Sequence, residues 1–104
     1  MSEWFDLGTG IKGKKIGEHE GGGFYLVRLD AGAVMGPERH EQRETGVVLE
    51  GTLKVRLGFV DELVDGEDLT GFDVSPGEEH TLTSGPAGAL LLVVARPDWP
   101  TNPT

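Results

Sequence analysis

Glycine and proline, 17 and 6 of the 104 residues, divide this chain into short segments. The segments between them are rich in β-branched residues or alternate between apolar and polar side chains, and none has convincing helical periodicity. Several short strands bounded by turn residues predict an all-β sandwich or barrel, because closure of the sheet removes exposed strand edges. The predicted strands are residues 24–30, 47–50, 52–59, 72–74, 80–83 and 87–96, with a weaker candidate at 10–19.

Four segments carry more detailed expectations. Residues 50–51, Glu-Gly, lie between two apolar runs, and glycine accepts the positive φ of a tight turn, so a hairpin is predicted there. The run 89–95 is apolar throughout, which predicts a strand buried on both faces or nearly so. The acidic segment 61–68 is expected to be a solvated loop between the two halves. The tail, residues 97–104, contains three prolines and therefore cannot form a central strand.

Length, charge and cysteine content bound the function. A chain of 104 residues is predicted to form one domain around one hydrophobic core. The formal net charge of −9 repels phosphate backbones and anionic lipids, so nucleic acid and membrane surfaces are not expected as partners. The sequence contains no apolar run long enough to span a membrane, no signal-like N-terminus and no cysteine. A cytoplasmic protein is therefore expected.

Metal-ligand residue types are concentrated between residues 32 and 51. Glu38, His40 and Glu44 follow one another at even spacing, which would place their side chains on one face of a strand. Carboxylate and imidazole groups that converge on one point form a mixed oxygen and nitrogen site of the kind that binds Fe(II), Mn(II), Ni(II) or Zn(II). A fourth ligand would have to come from another part of the chain.

The same stretch resembles the first motif of the cupin superfamily. That motif has a glycine, a His-x-His pair, a glutamate and a second glycine at fixed intervals. Gly32, His40, Glu44 and Gly51 fall in this register, but Glu38 stands where the family usually has its first histidine.

A second segment, SPGEEHTLTS, resembles the second cupin motif. Gly77 and His80 match that motif, whereas Ser75 and Ser84 replace its usual proline and asparagine. In the family motif, the leading glycine is further along the chain from the histidine than Gly71 is from His80. The two motifs and the strands around them cover about residues 24–95.

The resemblance implies a jelly-roll barrel, also called a double-stranded β-helix, with one divalent metal ion. The implied ligands are His40, Glu44 and His80, with Glu38 as a substitution at the remaining ligand position. Two carboxylates and two neutral imidazoles make the site neutral around a divalent ion, and the additional anionic oxygen favours manganese or iron. The activity expected is that of a metal-dependent oxygenase, lyase or isomerase acting on a small oxygenated compound.

Two alternatives stay open at this point. If the site binds no metal, Glu38 or Glu44 could act as a general acid or base in an isomerase, because two carboxylates would share a partly desolvated pocket. The barrel could also bind or sense a small ligand without turnover, as fold alone does not define an activity.

Residues outside the two motifs allow further predictions. Arg28 and Arg56 lie in otherwise apolar strands, and either could hold a substrate carboxylate or phosphate if its side chain turned inward. His19 lies beside three glycines and is expected to be an exposed loop residue without a role. Three further side chains are expected in the core or the pocket wall: Met35, Phe72 and Leu82.

Aromatic residues near both termini suggest an interface. Trp4, Phe5 and Trp99 would cover a barrel end or a contact with another subunit, and cupins commonly form dimers. A homodimer is therefore expected.

Overall fold

The structure is a computed structural model that describes residues 3–95. Arg96, the predicted proline-rich tail and Trp99 lie outside the described residues. The described chain folds into eight strands, which confirms the all-β prediction. They are β1 (Phe5–Gly8), β2 (Ile11–His19), β3 (Gly22–Leu29), β4 (Val34–Glu38), β5 (Glu44–Leu57), β6 (Val60–Asp65), β7 (Gly71–Val74) and β8 (His80–Ala95).

Two long strands, β5 and β8, organise the fold. They pair antiparallel over almost their whole length, from Thr45 opposite Val94 to Leu57 opposite His80. The first half of β5 and the second half of β8 share a sheet with β1, β2, β3 and β7. The other halves share a second sheet with β4 and β6. Because both long strands pass from one sheet into the other, the two sheets form a jelly roll.

The hairpin predicted at residues 50–51 is wrong. Gly51 lies inside β5, and residues on both sides of it pair with β8, so the chain bends there but does not reverse. The φ of Gly51 is +79°, which is the glycine conformation that the hairpin prediction had relied on. A bulge in a continuous strand requires the same backbone freedom as a tight turn. The reversal occurs at residues 58–59, since Leu57 pairs with Val60 across a two-residue turn.

The expectation of a solvated acidic loop at residues 61–68 is also wrong in part. Most of this segment belongs to β6, which pairs with β5 from Leu57 to Thr52. The pairing places Asp61 opposite Arg56, and the Arg56 Nε donates to the Asp61 carboxylate at 2.7 Å. Hairpin pairing with the preceding strand β5 decides the structure here, whereas the charge of the segment alone suggests a loop.

The weak strand candidate at 10–19 is confirmed as β2, whereas β1 and β4 were not predicted. The separate predictions at 80–83 and 87–96 merge into the single strand β8. Both short unpredicted strands contain glycine, and β4 also contains Pro37, so their residue types lower any sequence-based strand signal.

The hydrophobic core lies between the two sheets. Met35, Phe72 and Leu82 are buried in it, as predicted. In the apolar run 89–95, Leu91 and Val93 face the core, and the side chains between them are half-buried on the outer face. This agrees with the prediction of a strand buried on nearly both faces. Among residues 3–95 there is no helix with the length and apolar character needed to cross a membrane.

Ser84 fixes the turn between β3 and β4 to β8. Its hydroxyl donates to the Asp30 carbonyl and accepts the Ala33 N–H at 3.1 Å, and its side chain is buried. We expect Ser84→Ala to lower the free energy of unfolding by about 1–3 kcal/mol, because two part-buried hydrogen bonds to the backbone of Asp30 and Ala33 would be lost. Urea denaturation measures this loss. The exposed Ser75→Ala serves as control, and an equal, small change in both variants would contradict the prediction.

Candidate metal centre

Four potential metal ligands meet at one end of the two sheets. Glu38 ends β4, Glu44 begins β5 and His80 begins β8, while His40 lies in the connection between β4 and β5. The register pairs Glu38 directly with His80. The structure therefore brings all four predicted ligands together. The ligands come from three strands and a connection, whereas the even spacing had suggested that Glu38, His40 and Glu44 would share one strand face.

Gly36 allows β4 to approach β8 closely enough for this pairing. Its φ is +111°, and a Cβ added there would lie 2.7 Å from the carbonyl oxygen of His80. Any larger residue would push β4 away from β8 at this point. Glu38, two residues further on, would move with it. Gly36 thus positions a ligand without contributing a donor atom, and no motif in the sequence had identified it.

The donor atoms of Glu38, His40, Glu44 and His80 all lie within 4.8 Å of one another. The Nε2 of His40 is 3.2 Å from Oε1 of Glu44. The Nε2 of His80 is 3.5 Å from Oε1 of Glu38. The two imidazole rings meet edge to face, with centroids 4.8 Å apart and an interplanar angle of 78°. Donors bound to one ion at about 2.1 Å lie up to about 4.2 Å apart, so this cluster is close to the size of a single-ion site.

Both imidazoles are oriented by backbone carbonyl groups. The Nδ1 of His40 lies 2.8 Å from the carbonyl oxygen of Gln42, and the Nδ1 of His80 lies 3.1 Å from that of Glu78. A carbonyl oxygen only accepts, so each Nδ1 carries the proton and each neutral ring presents the lone pair of Nε2 to the cluster. Proteins commonly fix histidine ligands in this way. Because every residue type has a carbonyl group, no side-chain signal in the sequence could have identified Gln42 and Glu78.

Burial differs strongly among the four side chains. His80 is 0% exposed and Glu44 is 8% exposed, whereas His40 and Glu38 are 18% and 42% exposed. The Nε2 of His80 is buried and has no hydrogen-bond partner in the described part of the chain. A buried nitrogen without a partner is costly, and a metal ion would satisfy its lone pair. The donor set and this unsatisfied atom therefore fit a divalent ion.

The carboxylates change the protonation of both histidines. The hydrogen bond with Glu44 is the main cause that raises the pKa of His40 above its usual value of 6.5. Burial lowers the pKa of His80, but the nearby Glu38 carboxylate, the Glu78 carbonyl and the charge of Glu44 outweigh burial and raise it. In the absence of metal, both imidazoles consequently hold a proton more tightly than free histidine does.

These shifts predict how the stability of the metal-free protein depends on pH. A pKa that is higher in the folded than in the unfolded state stabilises the protein below the unfolded value, and this contribution is lost as pH rises through the folded value. We therefore expect the metal-free protein to be more stable at about pH 6 than at about pH 8.5. Urea denaturation in the presence of a chelator measures the difference. The double variant His40→Gln/His80→Gln is the control, and an unchanged pH dependence in it would contradict the assignment to these two residues.

The two arginines proposed to bind substrate do not join this cluster. Arg28 is exposed on the outer face of β3 and lies over the ring of Trp4, 5.8 Å from its centroid. Arg56 is exposed on the outer face of β5 and pairs with Asp61. In both strands the neighbouring side chains point inward, so alternation directs the arginines outward. His19 lies at the exposed end of β2 against Phe24 and is also outside the cluster.

Comparison with known structures supports the jelly-roll assignment. An RmlC-like cupin from Shewanella frigidimarina superposes with a TM-score of 0.83 at 23% identity, covering 95% of this chain and 86% of that one. KdgF from a Halomonas species superposes with a TM-score of 0.77 at 24% identity, covering 92% of this chain and 88% of that one. The cupin domain of Cnp3 from Schizosaccharomyces pombe gives 0.72 at 17% identity, with 88% and 69% covered. At these identities the similarity establishes the fold alone.

Sequence comparison identifies the family. No curated protein sequence matches the chain. The sequence model of the ChrR cupin-like domain, by contrast, matches residues 1–97, which is nearly the whole chain. This match and the cupin folds of the structural neighbours agree with the motifs at residues 32–51 and 75–84. The protein therefore belongs to the ChrR cupin-like domain family of the cupin superfamily.

Proposed function

We propose that the protein binds one divalent metal ion through Glu38, His40, Glu44 and His80 and uses it to act on a small oxygenated compound. The observation that carries this proposal is the convergence of four ligand-type groups within 4.8 Å around the buried Nε2 of His80, which makes no hydrogen bond to residues 3–95 and lies 3.5 Å from the Glu38 carboxylate. A purely structural histidine in this position would need a partner for that nitrogen.

Each of the four side chains has a distinct part in the proposed site. His40 and His80 supply neutral nitrogen donors whose orientation is fixed through Nδ1. Glu44 supplies a buried carboxylate, and Glu38 completes the set from the solvent side. The two carboxylates neutralise a divalent ion, and their oxygens favour manganese or iron. When bound, such an ion supplies Lewis-acid or redox chemistry.

The surroundings of the site define where a compound can enter. On the inner side, the next inward-facing residues after His80 and Leu57 are Leu82 and Val55, and both are buried. These apolar side chains exclude water from behind the ligands. The exposed side of Glu38 and the partly exposed ring of His40 leave the opposite direction open. A small molecule would reach the site from there.

Metal analysis of purified protein tests this proposal. We expect about one metal ion per chain after reconstitution with Mn(II), Fe(II), Ni(II) or Zn(II) in turn. Glu38→Ala should weaken metal binding at least about tenfold, because it removes one of the four ligands. Glu41→Ala is the matched control, since Glu41 is an exposed glutamate in the same connection. Full binding in Glu38→Ala would exclude this residue as a ligand. A wild-type protein that binds none of the four ions would overturn the proposal.

A metal-free acid–base function is the second candidate, and the two carboxylate–imidazole pairs favour it. The 3.2 Å pair of His40 with Glu44 and the 3.5 Å pair of His80 with Glu38 could each move a proton to or from a bound compound. Without a metal ion, such a site would remove the α-proton of a small carbonyl compound and return a proton to it. Exchange of that proton with deuterated water, unaffected by a chelator, would favour this candidate over the metal-dependent one.

A further inference from the structure

β6 is the edge strand of the second sheet. It pairs with β5 alone among the strands between residues 3 and 95, so its other edge carries backbone groups that no strand there takes up. An edge strand of this kind can accept an additional strand. We refer to residues 59–65, the turn residue Phe59 and β6 itself, as the β6 edge.

The β6 edge exposes large apolar side chains to solvent. Phe59 is 102% exposed, Leu63 is 81% exposed and Val60 is 61% exposed. Proteins usually protect free strand edges by placing charges or proline there, and bulky apolar groups at such an edge favour association with another chain.

Carboxylates outnumber basic groups around these apolar side chains. No lysine or arginine occurs between residues 57 and 95. The paired strand β5 supplies two basic residues: Arg56, which is paired with Asp61, and Lys54, which lies opposite Leu63 and whose charge also acts on Asp61. Glu62 lies on the same face of the pairing as Val55, yet it is exposed and has no ion pair with any residue from 3 to 95. The β6 edge therefore offers unneutralised carboxylate beside apolar surface.

A groove of about 420 Å³ lies beside this edge. It is lined by Glu62 from β6, by Phe72 and Asp73 from β7, and by Leu57 from β5. Phe72 and Leu57 give the groove apolar walls, while Glu62 gives it negative charge. An extended segment that paired with β6 would lie along this groove.

We propose that the β6 edge binds an extended segment of a partner polypeptide in which basic and apolar residues alternate. Backbone pairing with β6 would supply affinity, as in other cases of strand addition, and the basic side chains would meet Glu62 and its neighbours. A second copy of this chain is a poorer occupant than a basic segment, because two acidic β6 edges side by side would repel each other. The proposal does not depend on the proposed metal site.

The test uses a blocked synthetic peptide of alternating lysine and valine, roughly nine residues long and so of ordinary strand length. We expect dissociation constants of about 10–100 μM by calorimetry, weaker at high salt, with amide shifts and slowed hydrogen exchange at residues 59–65 in nitrogen-15 NMR spectra. A peptide with proline at its centre should bind at least about tenfold more weakly, since proline cannot donate to the ladder. Glu62→Lys should weaken binding by about tenfold, whereas the matched charge change Glu20→Lys should leave it within about twofold.

Four outcomes would overturn the proposal. They are no binding at about 1 mM peptide, equal binding of the proline peptide, equal losses in Glu62→Lys and Glu20→Lys, and spectral changes away from the β6 edge. Slow exchange at residues 59–65 without peptide, together with a dimer by light scattering, would show that a second copy covers the edge. A dimer whose β6 amides still exchange rapidly would leave the edge open, and the peptide would then be expected to bind it.

Discussion

His80→Ala is expected to abolish stoichiometric metal binding, lowering affinity by at least about 100-fold. Removal of a group that merely orients a ligand typically costs 10–100-fold, and His80 is proposed to be a ligand itself. Its Nε2 is the one donor in the cluster that is buried and has no hydrogen-bond partner among residues 3–95. Titration with Mn(II) or Zn(II), followed by calorimetry, measures the change.

The control must separate lost ligation from lost packing. The side chain of His80 is fully buried, so alanine also leaves a cavity that destabilises the sheet. His80→Gln keeps most of the volume without the imidazole nitrogen, and circular dichroism would confirm that it is folded. His19→Ala removes a histidine outside the cluster and should bind metal normally. A folded His80→Gln that binds metal as tightly as the wild type would refute the role of His80.

Much of the candidate site could be predicted from the sequence because its residue types and intervals are unusual. Glu38, His40, Glu44 and His80 were all identified, and all four meet in the structure. The groups that orient them were not identified. The carbonyl groups of Gln42 and Glu78 are backbone atoms, and Gly36 acts by having no side chain. The sequence predicts donors well where a side chain carries the chemistry, and poorly where backbone geometry does.

The path of the long strands could not be predicted for a related reason. The residue pair at 50–51 is compatible with a hairpin or with a bulge, because glycine at positive φ permits both. The decision depends on β8, which pairs with β5 on both sides of Gly51 and lies about 30 to 40 residues away in sequence. Local sequence therefore indicates a change of direction at Gly51 but not its extent.

The bend at Gly51 is what creates the site. Glu44 and Leu57 are the two ends of β5, and Leu57 is paired with His80. In a straight strand, thirteen steps of about 3.3 Å would separate those ends by about 43 Å. The donor atoms of Glu44 and His80 nevertheless lie within 4.8 Å of each other. The paired β5 and β8 must therefore fold back on themselves, and Gly51 lies against Gly88 near the middle of both strands.

Gly51→Ala is accordingly expected to lower the free energy of unfolding by about 2–5 kcal/mol and to weaken metal binding. A Cβ at residue 51 would lie 2.0 Å from the carbonyl oxygen of Gly88, and this oxygen is backbone that cannot rotate away. The φ of +79° adds strain for any residue with a side chain. Steric crowding of this kind costs about 1–3 kcal/mol in addition to the strain. Since small domains are stable by only about 5–15 kcal/mol, the loss would be a large fraction of the total.

Gly58→Ala separates the two causes. Gly58 also has a positive φ, +63°, but a Cβ there would meet no atom within 4 Å. Its replacement should cost only the backbone strain, about 1–2 kcal/mol, and should leave metal affinity unchanged. Urea denaturation and metal titration of both variants provide the comparison. If Gly51→Ala proved no less stable than Gly58→Ala, the result would show that the close contact of Gly51 with Gly88 is not needed to hold β5 and β8 in their folded path. If it lost stability yet bound metal normally, the bend would support the fold without setting the distance between Glu44 and His80.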